Sequence, residues 1–281
     1  MTLKLLAALF LPIIATAQEP LHVMSFNIRL NTPADSANAW PYRKAFVAEQ
    51  VLKNKVHLLG VQEALHEQMT DLASLLPGYK YVGKGRDDGR EKGEYSAIFY
   101  DTARIEVINS ATFWLSETPE IPGSKSWDAA ITRVATWAEV MDNITGEKSF
   151  VFNTHFDHIG KEARRQSALL LLKVMEVVAG NYDVILTGDF NATPNEPPIV
   201  ALTDKDKPYY LVNTASKRKK KLVGPTGTFN GWKTDSLPKE PIDFIFYRGN
   251  FKVKKHVTIL ETRDGRYSSD HFPVLVHLRQ K

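Results

Sequence analysis

Two histidines and a set of acids and amides stand in this chain at the ends of apolar runs, where a side chain leaves a sheet. The last group is Tyr267-Ser268-Ser269-Asp270-His271-Phe272-Pro273, an acid beside an imidazole just before an apolar run. Upstream, Ser25-Phe26-Asn27, Val61-Gln62-Glu63, Asn153-Thr154-His155 and Thr187-Gly188-Asp189-Phe190-Asn191 close strand-like runs in the same way. Together they supply what metal-assisted phosphoester hydrolysis needs: hard oxygen ligands, a carboxylate to handle water, amide donors, and histidines to meet developing charge. Asn27 and Glu63 suit magnesium, which keeps several waters and takes one or two carboxylates besides phosphate oxygens. An ionised Asp189 would orient or deprotonate the attacking water, and Asn191 would donate to a nonbridging phosphoryl oxygen. Glu94 is a candidate to orient the ring of His155, and Asp243 that of His271, since a carboxylate behind an imidazole fixes its tautomer and favours its protonated form. Asp157 and His158 are then candidate substrate contacts. Each residue alone has a plainer reading as a turn former, an Asx turn or a structural histidine. The ordered set outweighs them.

The elements that must position these residues are mostly strands. Runs rich in Val, Ile, Phe, Tyr and Thr predict strands over His22 to Arg29, His57 to Gln62, Ser96 to Tyr100, Ile105 to Phe113, Val134 to Met141, Phe150 to His155, Val184 to Leu186, Ile242 to Tyr247, Phe251 to Leu260 and Val274 to Leu278. Helical spacing predicts Pro41 to Asn54, with Ala48, Val51 and Leu52 facing inward, and Lys161 to Ala179, with Ala168, Leu171, Leu172, Met175 and Val178 on one stripe. Many strands and two or three helices imply two packed sheets with helices outside. A doubly wound nucleotide-binding sheet fits poorly, because Asn27-Ile28-Arg29 follows the first strand where a glycine-rich phosphate loop would be required.

The motifs in chain order are Phe26-Asn27-Ile28-Arg29, Val61-Gln62-Glu63, Glu94 to Tyr100, Thr154-His155, Gly188-Asp189-Phe190-Asn191, Ile242-Asp243-Phe244-Ile245-Phe246 and Ser269-Asp270-His271. In that order the chain resembles the endonuclease/exonuclease/phosphatase (DNase I-like) superfamily from about His22 to Leu278. The resemblance implies a four-layer α/β/β/α sandwich, two mostly antiparallel sheets face to face with helices outside. It implies Glu63 as the principal ligand of Mg2+ (or Mn2+), with Asn27 and Asp270 close to the ion. It implies Asp189 and Asn191 as the water-orienting and transition-state-stabilising pair. His271 held by Asp243, and His155 held by Glu94, would flank the scissile phosphate. Glu63 is followed by Ala64-Leu65-His66 rather than by the groove-reaching arginine of DNase I, so cutting of duplex DNA is disfavoured. Phe113-Trp114-Leu115-Ser116, Ser126-Trp127-Asp128 and the segment Gly224 to Trp232 look closer to a deadenylase-related bacterial branch.

With 281 residues and 43% hydrophobic content the chain can bury a large core, and one catalytic domain over 18–281 is expected. Lys4, the apolar run Leu5 to Ile14 and Ala15-Thr16-Ala17 read as a cleavable export signal over 1–17, directing the chain to the periplasm or outside the cell. No later stretch reads as a membrane span, and no obligate protein partner is evident. The absence of cysteine excludes disulfides, thiolate metal sites and a cysteine nucleophile. A formal charge of +4 permits a polyanionic partner without demanding one. The run Lys217-Arg218-Lys219-Lys220-Lys221 beside Phe229 and Trp232 would attract a polyanion and stack a base or sugar, or simply be a solvated loop. Trp127 with Arg133 would clamp a phosphate. Three readings stand at this stage: a hydrolase of a small or lipid-like phosphorylated compound, a nuclease on single strands or 3′ ends, and a catalytically silent phosphate-binding module.

Overall fold

Why the apolar runs carry little alternation becomes clear in the computed structural model, which describes residues 19–217 and 222–281. Each central strand is buried on both faces. The export-signal run, and Arg218 to Lys221 of the basic stretch, lie outside the described residues. Among the described residues twelve strands form two sheets: β1 (Leu21–Asn27), β2 (Leu58–Ala64), β3 (Tyr79–Val82), β4 (Tyr95–Asp101), β5 (Ile105–Trp114), β6 (Val134–Asp142), β7 (Lys148–His155), β8 (Asp183–Asp189), β9 (Val212–Asn213), β10 (Asp243–Arg248), β11 (Phe251–Thr258) and β12 (Val274–Gln280). The first sheet runs β11-β12-β1-β2-β4-β3 and the second β5-β6-β7-β8-β10-β9. Among these strands β1 pairs with β2 and β7 with β8 in parallel; their other pairings are antiparallel.

Side chains alternate across a strand, so adjacent residues serve different layers. Val23, Leu58, Ile98, Val151, Ile185, Ile245 and Val276 fill the space between the sheets. Met24, Phe26, Leu59 and Val61 face outward onto α1 (Trp40–Lys53) and α2 (His66–Leu75) through Val47, Val51, Met69 and Leu72. On the other side Phe152, Leu186, Phe190 and Phe246 meet α3 (Lys161–Ala179) and α4 (Pro197–Thr203). The result is the expected α/β/β/α sandwich. Leu52, placed inward by spacing, is instead 42% exposed, because Val47, Ala48 and Val51 already fill the width of the face that α1 buries. Strand β1 ends at Asn27 and β11 at Thr258, short of the predicted Arg29 and Leu260. Arg29 has φ 57, which no strand accommodates.

A polar clamp fixes the offset between the sheets. Asn153 on β7 donates through Nδ2 to the carbonyls of Val61 and Ala97, both at 2.8 Å, and through them holds β2 and β4. Its Oδ1 accepts from Gln62 Nε2 at 2.7 Å and Thr187 Oγ1 at 2.9 Å. Gly60 lets the sheets approach here: a Cβ at that position would lie 2.1 Å from Thr187 Oγ1 and 2.5 Å from Asn153 Oδ1.

Candidate active site

Parallel pairing brings C-terminal strand ends to the same edge. Asn27 lies opposite Gln62 in the β1/β2 pair, His155 opposite Asp189 in the β7/β8 pair, and Asp243 opposite Asp189 across β8/β10. A bulge between Val61 and Ala64 gives Glu63 a φ of 63 and turns its carboxylate toward β1. Ser269 Oγ donates to the Asn27 carbonyl at 2.7 Å and so ties the segment before β12 to the same edge. The six elements therefore deliver Asn27, Glu63, His155, Asp189, Asn191, Asp243, Asp270 and His271 to one place, as expected.

Asn27 is the hub. Its Nδ2 donates to Glu63 Oε1 at 3.0 Å and Asp189 Oδ2 at 2.9 Å, and lies 3.5 Å from His271 Nε2. Asp189 Oδ2 in turn lies 3.5 Å from His155 Nε2 and 3.7 Å from His271 Nε2. Asp189 Oδ1 accepts from the Asn191 N–H at 2.9 Å, the Asx turn at this motif, and leaves Asn191 with φ 47. Asn191 Nδ2 then reaches His155 Nε2 and the Phe156 carbonyl, each at 3.0 Å.

The two histidines differ in charge. Burial pushes His271 down, but the carboxylates of Asp243, bonded to Nδ1 at 2.9 Å, and Asp189 outweigh it and hold its pKa well above the ordinary histidine value. Burial, then the nearby Arg133 and His271 charges, push His155 well below it. His155 is thus neutral, with Nε2 accepting from Asn191, contrary to the charged role expected for it. Burial raises Asp189 to about 7, reinforced by Asp243 and opposed by His271 and the Asn27 hydrogen bond. Burial, with Glu63 beside it, also raises Asp270 against the pull of His271, Arg29 and Arg43. A protonated imidazole beside an acid near neutrality is the divergence that separates acid from base roles in one site.

Several expectations need correction. Glu94 does not hold His155: it accepts from Arg86 Nη1 at 2.7 Å, and His155 Nδ1 has no partner among the described residues. The guanidinium of Arg86 offers a full charge, a stronger partner for a buried carboxylate than a neutral ring. Asp157 cannot contact substrate, because it is buried and its two oxygens accept backbone N–H groups of Ala130, Ile131, Ile159 and Gly160. Those bonds outweigh burial and lower its pKa. Arg133 is buried, turned to His158 Nδ1 at 3.2 Å, and lies 3.9 and 4.0 Å from Asp157 and Glu94 carboxylate oxygens, so it forms no surface clamp with Trp127. Trp127 takes a φ of 56 in the loop whose Asp128 caps α3 through the Ala163 N–H at 2.6 Å. His158 is exposed at the rim. Phe229 is 48% exposed with its ring 4.9 Å from that of His271, a position open to substrate. Trp232 packs over the Arg43 guanidinium at 5.5 Å and is half-buried.

Arg29 and its partner Asp35 were missed. Asp35 grips the guanidinium through Nε at 3.0 Å and Nη2 at 3.1 Å, while Arg29 lies 3.8 Å from both Glu63 Oε2 and Asp270 Oδ2. The only sequence signal was its place in Phe26-Asn27-Ile28-Arg29. Buried Asp189, Asp243 and His271 form a group able to hold a metal, and the surrounding donors are oxygens and imidazole nitrogens. No helix among the described residues is long and apolar enough to cross a membrane.

Known proteins match this arrangement over most of its length. A solved endonuclease/exonuclease/phosphatase from Bacteroides vulgatus is 37% identical, covering 94% of this chain and 100% of that one, with a TM-score of 0.88. A mannosyl-6-phosphatase from Bacteroides thetaiotaomicron is 38% identical, covering 92% and 99%, with a TM-score of 0.86. Drosophila melanogaster nocturnin is 21% identical over 86% of this chain, which spans only 42% of that longer protein. The profile of the Endonuclease/Exonuclease/phosphatase family matches residues 24–271. With that profile spanning every strand end that builds the centre, this chain belongs to the endonuclease/exonuclease/phosphatase family, a family of metal-dependent phosphoester hydrolases.

Proposed function

We propose that this protein is a magnesium-dependent hydrolase of small phosphorylated compounds, with sugar phosphomonoesters as its substrate class. The carrying observation is the convergence on Asn27 of Glu63, Asp189 and His271, from both sheets, within hydrogen-bonding reach. The likeness to the Bacteroides thetaiotaomicron mannosyl-6-phosphatase supports the sugar phosphate. In this reading Glu63 and Asp270 would hold Mg2+ (or Mn2+), and Asn27, expected as a ligand, instead positions Glu63 and Asp189 through Nδ2 while its Oδ1 accepts from the Arg29 N–H. The trio Asp189, Asp243 and His271 is tighter, but there Asp243 Oδ2 lies 2.9 Å from His271 Nδ1 and serves to orient the ring. The ion, when bound, polarises the phosphoryl group. Asp189 accepts a proton from the attacking water, Asn191 exchanges its hydrogen bond to His155 Nε2 for one to a nonbridging oxygen, and protonated His271 faces the developing charge. Phe229 offers its exposed ring to the sugar. The run from Lys4 to Ala17 supports export, where such an enzyme would act on scavenged phosphates.

The test is a substrate panel on the mature chain with magnesium and with excess chelator: hexose 6-phosphates, an aryl phosphodiester and single-stranded RNA. Hexose 6-phosphate turnover that chelator stops is expected. Preference for RNA would move the reading to a nuclease, and full activity in chelator would remove the metal.

A further inference from the structure

Outside the residues given roles above, the centre holds one cation whose placement calls for an explanation. Arg29 is built into position from three directions. Its N–H donates to Asn27 Oδ1 at 3.0 Å, and its carbonyl accepts from Arg43 Nη2 at 2.7 Å and Gln68 Nε2 at 2.9 Å, fixing the left-handed backbone. Asp35, itself nearly buried, takes two guanidinium donors in parallel, the geometry that orients an arginine most tightly. Nη1 is left facing the centre, 3.8 Å from Glu63 Oε2 and so beyond hydrogen-bond distance. The side chain is 28% exposed.

The other arginines around the centre are enclosed: Arg86 Nε and Arg133 Nε and Nη1 have no hydrogen-bond partner among the described residues but are buried away from solvent. Arg43 gives its donors to the carbonyls of Asn38, Ile28, Ser268 and Arg29 beneath the floor. Arg86 is bonded to Glu94, and Arg133 is 5% exposed. Among these four, Arg29 is the one with donors still directed at the reaction centre and open to solvent. His155 and Asn191 stand across Asp189 from it, on the second sheet, while Arg29 leaves β1 on the first.

We propose that Arg29 reads the charge state of the substrate: it binds the terminal oxygen that a phosphomonoester has and a diester lacks, and so sets a preference for monoesters. The inference rests on the phosphohydrolase reading and narrows its substrate class. A monoester dianion brings a second negative charge to a floor that already carries Glu63, Asp189, Asp243 and Asp270. Asn191 and His271 meet the oxygens common to both ester types, so an added cation on the opposite wall favours the dianion selectively. A diester carries one negative charge and fills that position with its second alcohol. Hydrolysis consumes water and releases the alcohol and inorganic phosphate, and the phosphate keeps the oxygen that Arg29 holds.

The experiment compares the full-length mature protein with Arg29→Gln and Arg29→Lys on a hexose 6-phosphate and an aryl phosphodiester. Calorimetric titration of inorganic phosphate into the magnesium-loaded proteins accompanies it. Arg29→Gln should lower monoester kcat/KM by about 30-fold, the range of a charge-assisted hydrogen bond, with diester kcat/KM within about threefold. Phosphate affinity should fall by about 10-fold, and Arg29→Lys should lie between, keeping the charge without the fork. Far-UV circular dichroism and a urea midpoint matching wild type show the variants are folded. An unchanged monoester-to-diester ratio, or unchanged phosphate affinity, overturns the proposal: Arg29 would then be a counter-charge for Glu63 and Asp270 alone. If the wild type turned over neither ester, the hydrolase reading would fail, while the phosphate titration would still decide whether Arg29 binds the anion.

Discussion

Replacing Asn153 with alanine should cost far more stability than the loss of a single amide suggests. The side chain is fully buried between the sheets and makes four hydrogen bonds of 2.7 to 2.8 and 2.9 Å. Its partners do not suffer equally. Gln62 Nε2 keeps Ser25 Oγ and the Gly60 carbonyl, at 3.3 and 3.2 Å, and Thr187 Oγ1 keeps the Phe152 carbonyl at 3.2 Å. The carbonyls of Val61 and Ala97 lose a donor in the dry interior, at the place where the β2/β4 register is broken. Two buried acceptors left short at about 1–3 kcal/mol each give roughly 4 kcal/mol. That is a large share of a typical stability of about 5–15 kcal/mol. Urea unfolding monitored by tryptophan fluorescence measures it, and the same variant should lose kcat. Asn27 and Glu63 stand on one sheet and Asp189 and His155 on the other, so slippage between the sheets misaligns the centre. A loss below about 1 kcal/mol with unaltered kcat would refute the view that this clamp sets the offset of the sheets.

Asp243→Asn keeps the shape beside His271 but removes the charge that sustains its proton; kcat/KM should fall about 100-fold, within the range of a lost charge-assisted hydrogen bond, and a variant within threefold of wild type would free Asp243 of this role. Magnesium should raise Tm in the wild type, since ligand at a hundred times Kd stabilises by about 2.7 kcal/mol, and Glu63→Gln should abolish that shift in differential scanning fluorimetry. His256 is buried with Nδ1 3.0 Å from Thr214 Oγ1, and burial lowers its pKa from 6.5 to about 4. Its folded state therefore holds fewer protons than the unfolded chain across that window, so stability is present above about pH 6.5 and is lost as pH falls toward 4, by roughly 3 kcal/mol. The urea midpoint of His256→Gln should show a shallower acid slope than wild type; parallel curves would contradict the assignment.

Much of this protein was legible without coordinates, and the reasons are local. Apolar runs of strand length ending in Asn, Glu, His and Asp marked both the sheets and the edge where the chemistry gathers, because alternation and turn chemistry are written over a few neighbouring residues. Lys161 to Ala179 was bounded correctly for the same reason: its stripe is long and a glycine follows it. His66–Leu75 and Pro197–Thr203 were not recognised, since helices this short bury only two or three apolar residues and show too few turns of period. What tertiary structure alone decided is which charges meet. Glu94 turned to Arg86, Asp157 to four backbone N–H groups, and Arg29 to Asp35, choices set by how the loops fold back on themselves, which no local period records. The opposite protonation of His155 and His271 has the same origin: both are buried imidazoles at strand ends, and only the carboxylates or guanidinium that folding places beside each determine which one keeps its proton.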